Sequence, residues 1–258
     1  MSYVIAVAGK GGTGKTTLTS LVVRYLLEQG QGPVLAVDAD PNSNLPEALG
    51  VAPPMSIADV LNDIVRNPDV VPEGMTKRDY IELRLEDTLA EGQDVDLLIM
   101  GGPEGQGCYC FPNSVLKDIS QRLTRNYPYV VVDNEAGLEH LSRRTTDQVD
   151  LLLVVSDASV RGVRSAGRVT HLVRELGLSV KEMHLVVTRL DGEPEGILAQ
   201  EIRNTGIPVG GFLPYDPRVV EYDVAGRPLR ELPADSAVVR SVEELCRRLI
   251  PLAKGVAR

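Results

Sequence analysis

Short apolar runs recur along the chain, and each is bounded by glycine, proline or charged residues. The runs are rich in valine, isoleucine and leucine, and apolar positions do not alternate with polar ones. Strands that are buried on both faces of a parallel sheet have this pattern. We therefore predict strands over residues 3–8, 33–38, 96–100, 129–133, 151–156, 183–188 and 207–213.

Amphipathic segments with helical spacing lie between most of these runs. Residues 15–30 carry apolar side chains at that spacing and end in a glycine, and residues 159–177 begin with a serine and end in a glycine. This alternation predicts an α/β protein with one doubly wound, mostly parallel sheet and helices on both faces. We expect residues 1–258 to form a single domain, in which the proline-rich residues 51–92 are an irregular helical insertion.

Composition and charge narrow the range of partners. The chain has 258 residues, of which 43% are hydrophobic, and its formal net charge is −9. A chain this acidic does not favour binding to nucleic acid, which needs a basic surface. No apolar run is long enough to span a membrane, and the first residues do not fit a signal peptide, so we expect a cytoplasmic protein without membrane contact. Three cysteines, an odd number, favour reduced thiols over a disulfide framework.

The segment GKGGTGKT, residues 9–16, follows the first predicted strand and opens the first predicted helix. It fits the phosphate-loop pattern G-x-x-x-x-G-K-[ST] in the setting that this pattern requires. Glycines let backbone N–H groups turn toward phosphate oxygens, and the helix N-terminus adds a favourable dipole. We expect Lys15 to contact the β- and γ-phosphates and the Thr16 hydroxyl to bind Mg²⁺. The predicted nucleotide-binding residues of this segment are Gly9, Lys10, Gly11, Gly12, Thr13, Gly14, Lys15, Thr16 and Thr17.

Lys10 gives the loop a second lysine, directly after its first glycine. The loop therefore resembles the deviant Walker A motif, KGGxGK[ST], of the family that contains MinD, ParA, the nitrogenase iron protein and the tail-anchored-protein targeting ATPase. The resemblance implies hydrolysis of ATP and a homodimer bridged by nucleotide. In that dimer Lys10 would reach the phosphates of the nucleotide held by the partner subunit. The alternative is that Lys10 is a solvated cation of the loop.

Two further segments resemble the switch regions of the same family. ADPNSNL follows the second strand and places Asp38 and Asp40 beyond its carboxyl end, where open sheets bind ligands. The resemblance implies that Asp40 orients the attacking water and that Asp38 is structural or close to the metal. VVVDNEAG, residues 130–137, resembles a Walker B strand with the second switch; Asp133 would hold Mg²⁺ through water, and Gly137 would lie near the γ-phosphate. An aspartate after a strand can otherwise serve only as a helix cap.

Residues 213–229 resemble the segment that lines the adenine in this family, with Pro214 and Asp216 at the contact. The family usually has Asn-Arg after the preceding strand, where this chain has Thr188 and Arg189. The resemblance places both residues in the nucleotide site, and the departure leaves open whether Thr188 contacts adenine or makes a single hydrogen bond through its hydroxyl.

The loop GPEGQGCYCFPN, residues 102–113, carries Cys108 and Cys110 one residue apart. Two thiolates are too few to close a tetrahedral metal site. A twofold axis would bring the pairs of two subunits together as four thiolates, and a dimer bridged through Lys10 supplies such an axis. Soft thiolates favour Zn²⁺, Ni²⁺, Cu⁺ or iron–sulfur iron. The alternative is two free thiols in a loop.

The cysteine loop and the segment over residues 130–159 together resemble the CooC-type maturation factors of nickel carbon monoxide dehydrogenase. This resemblance runs over nearly the whole chain. It implies an ATP-hydrolysing, homodimeric metallochaperone with Ni²⁺ or Zn²⁺ at a Cys-x-Cys site shared by two subunits, and carbon monoxide dehydrogenase as its client. The alternatives are an ATPase of spatial organisation, like MinD or ParA, and an electron-transfer ATPase, like the nitrogenase iron protein.

Overall fold

The computed structural model describes residues 2–53, 55–101, 126–135 and 148–253. Within them the chain forms an eight-stranded sheet of order β3-β4-β2-β5-β1-β6-β7-β8. Neighbouring strands run parallel, except that β3 pairs antiparallel with β4. The strands are β1 (Tyr3–Gly9), β2 (Val34–Ala39), β3 (Leu89–Ala90), β4 (Val95–Ile99), β5 (Tyr129–Asn134), β6 (Gln148–Asp157), β7 (Ser179–Thr188) and β8 (Val209–Leu213).

Each apolar run of the sequence forms a strand of this sheet, and the predicted fold class is confirmed. The central strands are completely buried because helices cover both faces, which explains why their sequences do not alternate. Strand β7 begins before its apolar run, with exposed polar residues that include Lys181 and Glu182. The edge strand β3 has two residues and was not predicted, because so short an element leaves no pattern.

Nine α-helices lie within the described residues. They are α1 (Lys15–Glu28), α2 (Leu45–Leu49), α3 (Ile57–Arg66), α4 (Lys77–Glu86), α5 (Val160–Gly167), α6 (Val169–Glu175), α7 (Gly196–Asn204), α8 (Pro217–Val224) and α9 (Ala237–Leu249). Short 3-10 segments occupy Pro68–Val70 and Leu229–Glu231. The helix predicted over residues 159–177 is two helices, since the backbone N–H of Arg168 bonds to the carbonyl of Ser165 and the helical ladder is interrupted there.

The sheet separates two apolar cores. Helices α1, α2 and α9 cover one face, and α3 to α7 cover the other. Helix α9 buries its apolar face, including Val242, Leu245 and Cys246, so it is a core helix. Burial also raises the pKa of the Cys246 thiol well above its usual range.

Residues 51–92, apart from residue 54, form α3, α4, a 3-10 segment between them and β3. Helix α3 begins with a capping box, in which Ser56 and Asp59 each bond to the backbone N–H of the other. Among the described residues, no helix combines the length and apolarity that crossing a membrane would need.

Strand β1 lies at the point in the sheet where the strand order reverses. From β1 the chain passes to β2 on one side, beyond β5, whereas β6 lies on the other side of β1. Ligands bind at such a switch point, outside the carboxyl ends of the strands. The loops after β1, β2 and β7 and the carboxyl end of β5 lie at this edge.

Candidate nucleotide-binding site

The loop over residues 10–14 connects β1 to α1 and is shaped by its glycines. Gly14 has φ 89°, a left-handed conformation that a residue with a side chain rarely adopts. Gly9 lies so close to β6 that a Cβ atom there would come within 2.2 Å of the Val155 carbonyl oxygen. The glycines of the motif are therefore required by the path of the backbone. This path leaves the N–H groups at the start of α1 available to bind phosphate.

Two threonines hold this loop in shape. The Thr13 hydroxyl donates to the carbonyl of Lys10 at 2.8 Å. The hydroxyl of Thr188, at the end of β7, lies 2.8 Å from the carbonyl of Thr13 and 3.2 Å from that of Ser156. Thr188 is buried, and its hydroxyl is directed at the loop's backbone. The residue that stands at the family's usual asparagine position thus supports the phosphate loop.

The start of α1 brings the two predicted magnesium residues together. The Thr16 hydroxyl donates to Oδ2 of Asp133, at the end of β5, at 2.6 Å. Oδ1 of Asp133 is buried without a hydrogen-bond partner. Burial raises the pKa of Asp133 to about 7, although the Thr16 bond and the charge of Lys15 lower it. An oxygen donor that is buried, unsatisfied and next to a hydroxyl suits a hard cation such as Mg²⁺.

The two aspartates after β2 have different surroundings. Asp38 is fully buried; Oδ1 accepts from the Asp40 N–H at 3.0 Å and Oδ2 accepts from the Leu45 N–H at 2.9 Å. Burial raises the pKa of Asp38 to about 6. Asp40 is half-buried, and its Oδ1 accepts two bonds from Asn42 at 2.9 Å. Asp38 therefore shapes the loop, while Asp40 presents a carboxylate to the space above the phosphate loop.

A cavity of about 460 Å³ opens at this edge of the sheet. Its walls combine predicted residues with others that no motif indicated. The lining consists of Gly11, Gly12, Gly14, Lys15, Thr16, Thr17, Asp40, Asn42, Asn44, Glu47, Ala48, Arg189, Asp223, Arg227 and Leu229. The walls are mainly polar, with both lysine and carboxylate groups, which suits a charged, highly polar ligand.

Arg227 and Asp223 form the outer wall of the cavity, and neither residue was predicted from the sequence. The Arg227 guanidinium lies 4.0 Å from the centroid of the Tyr222 ring and donates to the Tyr222 hydroxyl at 2.9 Å. These contacts fix its position at the cavity. Arg189, predicted for the site, lines the cavity with a left-handed backbone (φ 56°). Asp223 and Arg227 belong to the adenine-like segment over residues 213–229, at positions that were not predicted.

Asp216, which was predicted at the adenine contact together with Pro214, has a structural role in the fold. Asp216 is buried, and its carboxylate caps α8: Oδ1 accepts from the Arg218 N–H at 3.0 Å, and Oδ2 accepts from the Ser236 hydroxyl. Neither Asp216 nor Pro214 lines the cavity. The carboxylate ties α8 to the start of α9 and so positions the outer wall.

Lys10 differs from the other loop residues. It is exposed and lies outside the lining of this cavity, whereas Lys15 is buried within it. The remaining predicted positions, Cys108, Cys110 and Gly137, lie outside the described residues. In the ranges that the structure covers, no group of three histidine, cysteine or carboxylate side chains is arranged to hold a metal ion.

Comparison with known proteins places this arrangement in a family. The sequence profile CbiA, which describes the CobQ/CobB/MinD/ParA nucleotide binding domain, matches residues 4–229. An uncharacterized ATP-binding protein of Methanocaldococcus jannaschii is 42% identical over 96% of this chain and 98% of its own length. The carbon monoxide dehydrogenase accessory protein CooC of Rhodospirillum rubrum is 30% identical over 86% of this chain and 87% of its own.

Solved structures agree on the fold. The septum site-determining protein MinD of Pyrococcus horikoshii, complexed with Mg-ADP, superposes with a TM-score of 0.71 at 22% identity, covering 98% of each chain. MinD of Aquifex aeolicus gives a TM-score of 0.68 at 22% identity over both full chains. With the phosphate loop and its buried aspartates in place, the chain belongs to the CobQ/CobB/MinD/ParA family of nucleotide-binding proteins and is a P-loop ATPase.

Proposed function

We propose that this ATPase is a homodimeric metallochaperone that assists nickel insertion into carbon monoxide dehydrogenase. The observation that carries the proposal is the identity to the Rhodospirillum rubrum accessory protein, which extends over most of both chains and accompanies the Cys-x-Cys loop at residues 108–110. At 22% identity, the structural likeness to MinD supports the fold and carries no argument about function.

The described residues supply the parts of an ATP-hydrolysing site. Backbone N–H groups of the glycine loop and the ammonium group of Lys15 bind the phosphates, where their positive charge stabilises the charge that develops on transfer. Asp40, whose carboxylate is held by Asn42, accepts a proton from the attacking water and orients it. Thr188 keeps the loop in place from beneath.

Thr16 and Asp133 fit a magnesium ion through a hydroxyl and a buried carboxylate. When bound, Mg²⁺ neutralises charge on the phosphate oxygens and helps to orient them. The raised pKa of Asp133 means that burial opposes its ionised form, and a divalent cation favours that form. The ion thus compensates for a carboxylate that is costly to keep charged.

Lys10 acts in the partner subunit's site in this proposal. Its exposure and its position outside the cavity of its own subunit support that role. If Lys10 neutralises phosphate charge across the interface, ATP stabilises the dimer and the dimer completes the active site. The contact of Lys10 with the partner's nucleotide then promotes both dimerisation and hydrolysis.

The cargo ion is bound where the dimer joins the cysteines of two chains. Each chain contributes the thiolates of Cys108 and Cys110, so that four sulfur ligands surround one Ni²⁺ or Zn²⁺ ion. Nucleotide and metal then favour the same association state and are coupled reciprocally. Hydrolysis of ATP would weaken the dimer and release the ion to the client.

The test is activation of nickel-free carbon monoxide dehydrogenase in vitro. Substoichiometric nickel, ATP and this protein are combined with the apoenzyme, and carbon monoxide oxidation is followed with an artificial electron acceptor. We expect activation by the wild type, and none by Lys15→Ala or Cys108→Ser. Equal activation by the wild type and by both variants would refute the proposed function.

A further inference from the structure

Helix α5 and the residue that follows it present three arginines beside the phosphate loop. Arg161 and Arg164 are three residues apart on α5, Arg168 follows directly after its end, and all three are exposed. Together with Ser165 and with Lys10 from the loop, they line a second cavity of about 300 Å³. No described residue lines both this basic groove and the nucleotide cavity.

The charge of the basic groove is largely uncompensated. Arg164 pairs with Glu201 of α7, with 2.5 Å between Nη2 and Oε1. Over the described residues, no salt bridge involves Lys10, Arg161 or Arg168. A chain of net charge −9 therefore concentrates three unpaired cations in one small concave surface. Such a concentration attracts anions and holds them by charge-assisted hydrogen bonds.

We propose that the basic groove docks an acidic segment of a partner protein, through a short run of aspartate or glutamate side chains. Arginine is the suitable residue type, because its planar guanidinium matches a carboxylate with two parallel hydrogen bonds. The groove is large enough for a few carboxylates. The spacing of Arg161, Arg164 and Arg168 allows them to pair with successive carboxylates of an extended or helical acidic stretch. The serine in the lining adds a neutral donor.

Nucleic acid fits this surface less well. A long polyanion would extend from the groove over a surface whose overall charge is negative, and the repulsion would offset the contacts to the four cations. Among the described residues that line the groove, none is an aromatic side chain on which a base could stack. An acidic peptide needs only the local charge.

The basic groove also lies where an occupant would contact the nucleotide machinery. Strand β6, which leads into α5, pairs directly with β1, and Gly9 is in register with Val155. Lys10 follows Gly9 and reaches the groove from the phosphate loop. The inference extends the proposed function to partner recognition but does not depend on it, since neither metal nor carbon monoxide dehydrogenase takes part.

Fluorescence anisotropy with a labelled hexaglutamate peptide tests this proposal on the full chain without nucleotide. The variant is Arg161→Gln with Arg168→Gln, which removes two cations that have no ion pair in the fold. The matched control is Arg174→Gln with Arg240→Gln, which removes the same charge from exposed sites outside the groove. ATP affinity and the melting temperature, measured on all three proteins, verify that each is folded.

We expect the wild type to bind hexaglutamate, with an affinity that falls as NaCl rises from about 50 to about 200 mM. The groove variant should bind at least about five-fold more weakly, since exposed charge pairs are individually modest, and the control should stay within about two-fold of the wild type. A Gly–Ser peptide of equal length should not bind. The proposal is overturned if hexaglutamate does not bind, if both variants lose affinity equally, or if a DNA duplex binds the wild type more tightly than the peptide at the same salt.

Discussion

The hydroxyl of Thr188 lies 2.8 Å from the main-chain carbonyl of Thr13 and joins the end of β7 to the phosphate loop. The two residues are 175 positions apart in the chain, and both are buried. A methyl group of Thr188 also lies within contact distance of the place where a Cβ would stand on Gly14. The conformation of the phosphate loop therefore depends on a strand that the phosphate-loop motif does not include.

Replacing Thr188 by valine should weaken nucleotide binding. Valine keeps the shape of the side chain but leaves the Thr13 carbonyl without its hydroxyl donor, at a cost of about 1 to 2 kcal/mol. We expect ATP affinity to fall by about five- to thirty-fold, since about 1.4 kcal/mol corresponds to a factor of ten. Isothermal titration of ATP measures the change. Thr188→Ser retains the hydroxyl and should stay close to the wild type; equal losses in both variants would contradict the proposed role of the hydrogen bond.

Substitutions of Asp40 and Lys15 should affect ATP hydrolysis and ATP binding differently. Asp40→Ala removes the carboxylate that orients water, so we expect ATP to bind while hydrolysis falls by about 100-fold or more. Lys15→Ala removes the buried cation of the phosphate site, so productive binding itself should be lost. Nucleotide affinity and phosphate release are measured in parallel for the two proteins. Appreciable turnover by Asp40→Ala would show that another residue orients the water.

Lys10 should matter to the dimer more than to the monomer. Its side chain is exposed and lies outside its own cavity, so Lys10→Ala should leave ADP binding by the monomer unchanged. The same variant should weaken dimerisation by ATP and slow hydrolysis. Sedimentation velocity with ADP and with a non-hydrolysable ATP analogue distinguishes the two effects. Loss of ADP affinity in the monomer would place Lys10 in the site of its own subunit.

The stability of the nucleotide-free protein should depend on pH through Asp133. Burial raises the folded-state pKa of Asp133 to about 7, well above the ordinary value of an aspartate, so the folded state binds the proton more tightly than the unfolded state. The corresponding stability is fully present below about pH 4 and is lost as pH rises through about 7. Asp38, with a pKa raised by burial to about 6, acts in the same direction.

Asp133→Asn removes one of these titrations and keeps an acceptor for the Thr16 hydroxyl. We expect the free energy of unfolding of the variant to exceed that of the wild type at pH 8 by a few kcal/mol, at about 1.4 kcal/mol per pKa unit, and the difference to shrink toward pH 4. Urea unfolding across this range, without Mg²⁺ or nucleotide, measures it. A difference that is the same at every pH would refute the assigned titration.

The fold and half of the site were predictable because their signals are local or follow from strand order. The phosphate-loop motif fixes residues 9–16, and the carboxyl ends of parallel strands meet at one edge, which brings Asp133 to Thr16 across 117 positions. The role of Asp216 was not predictable from the family resemblance. The local signal was an aspartate directly before Pro217 at the start of α8, which is the pattern of a helix cap.

The outer wall of the cavity could not be predicted, because its residues come from elements that have no shared motif. Glu47 lies on α2, Asp223 lies on α8, and Arg227 follows α8. Their meeting depends on the packing of α2 against the 3-10 segment Leu229–Glu231, where Pro228 approaches Gly50 so closely that a Cβ there would come within 2.5 Å of the proline ring. Tertiary packing of this kind leaves no periodic trace in the sequence.

The most direct test of the account is metal stoichiometry measured together with association state. The wild type and Cys108→Ser are loaded with Ni²⁺ or Zn²⁺, with and without a non-hydrolysable ATP analogue, and analysed by sedimentation and by metal determination on the separated species. The account predicts one ion per dimer in the wild type, dimerisation by metal even without nucleotide, and loss of most of the metal in Cys108→Ser with retention of ATP binding. One ion per monomer, with no change in association state, would contradict it.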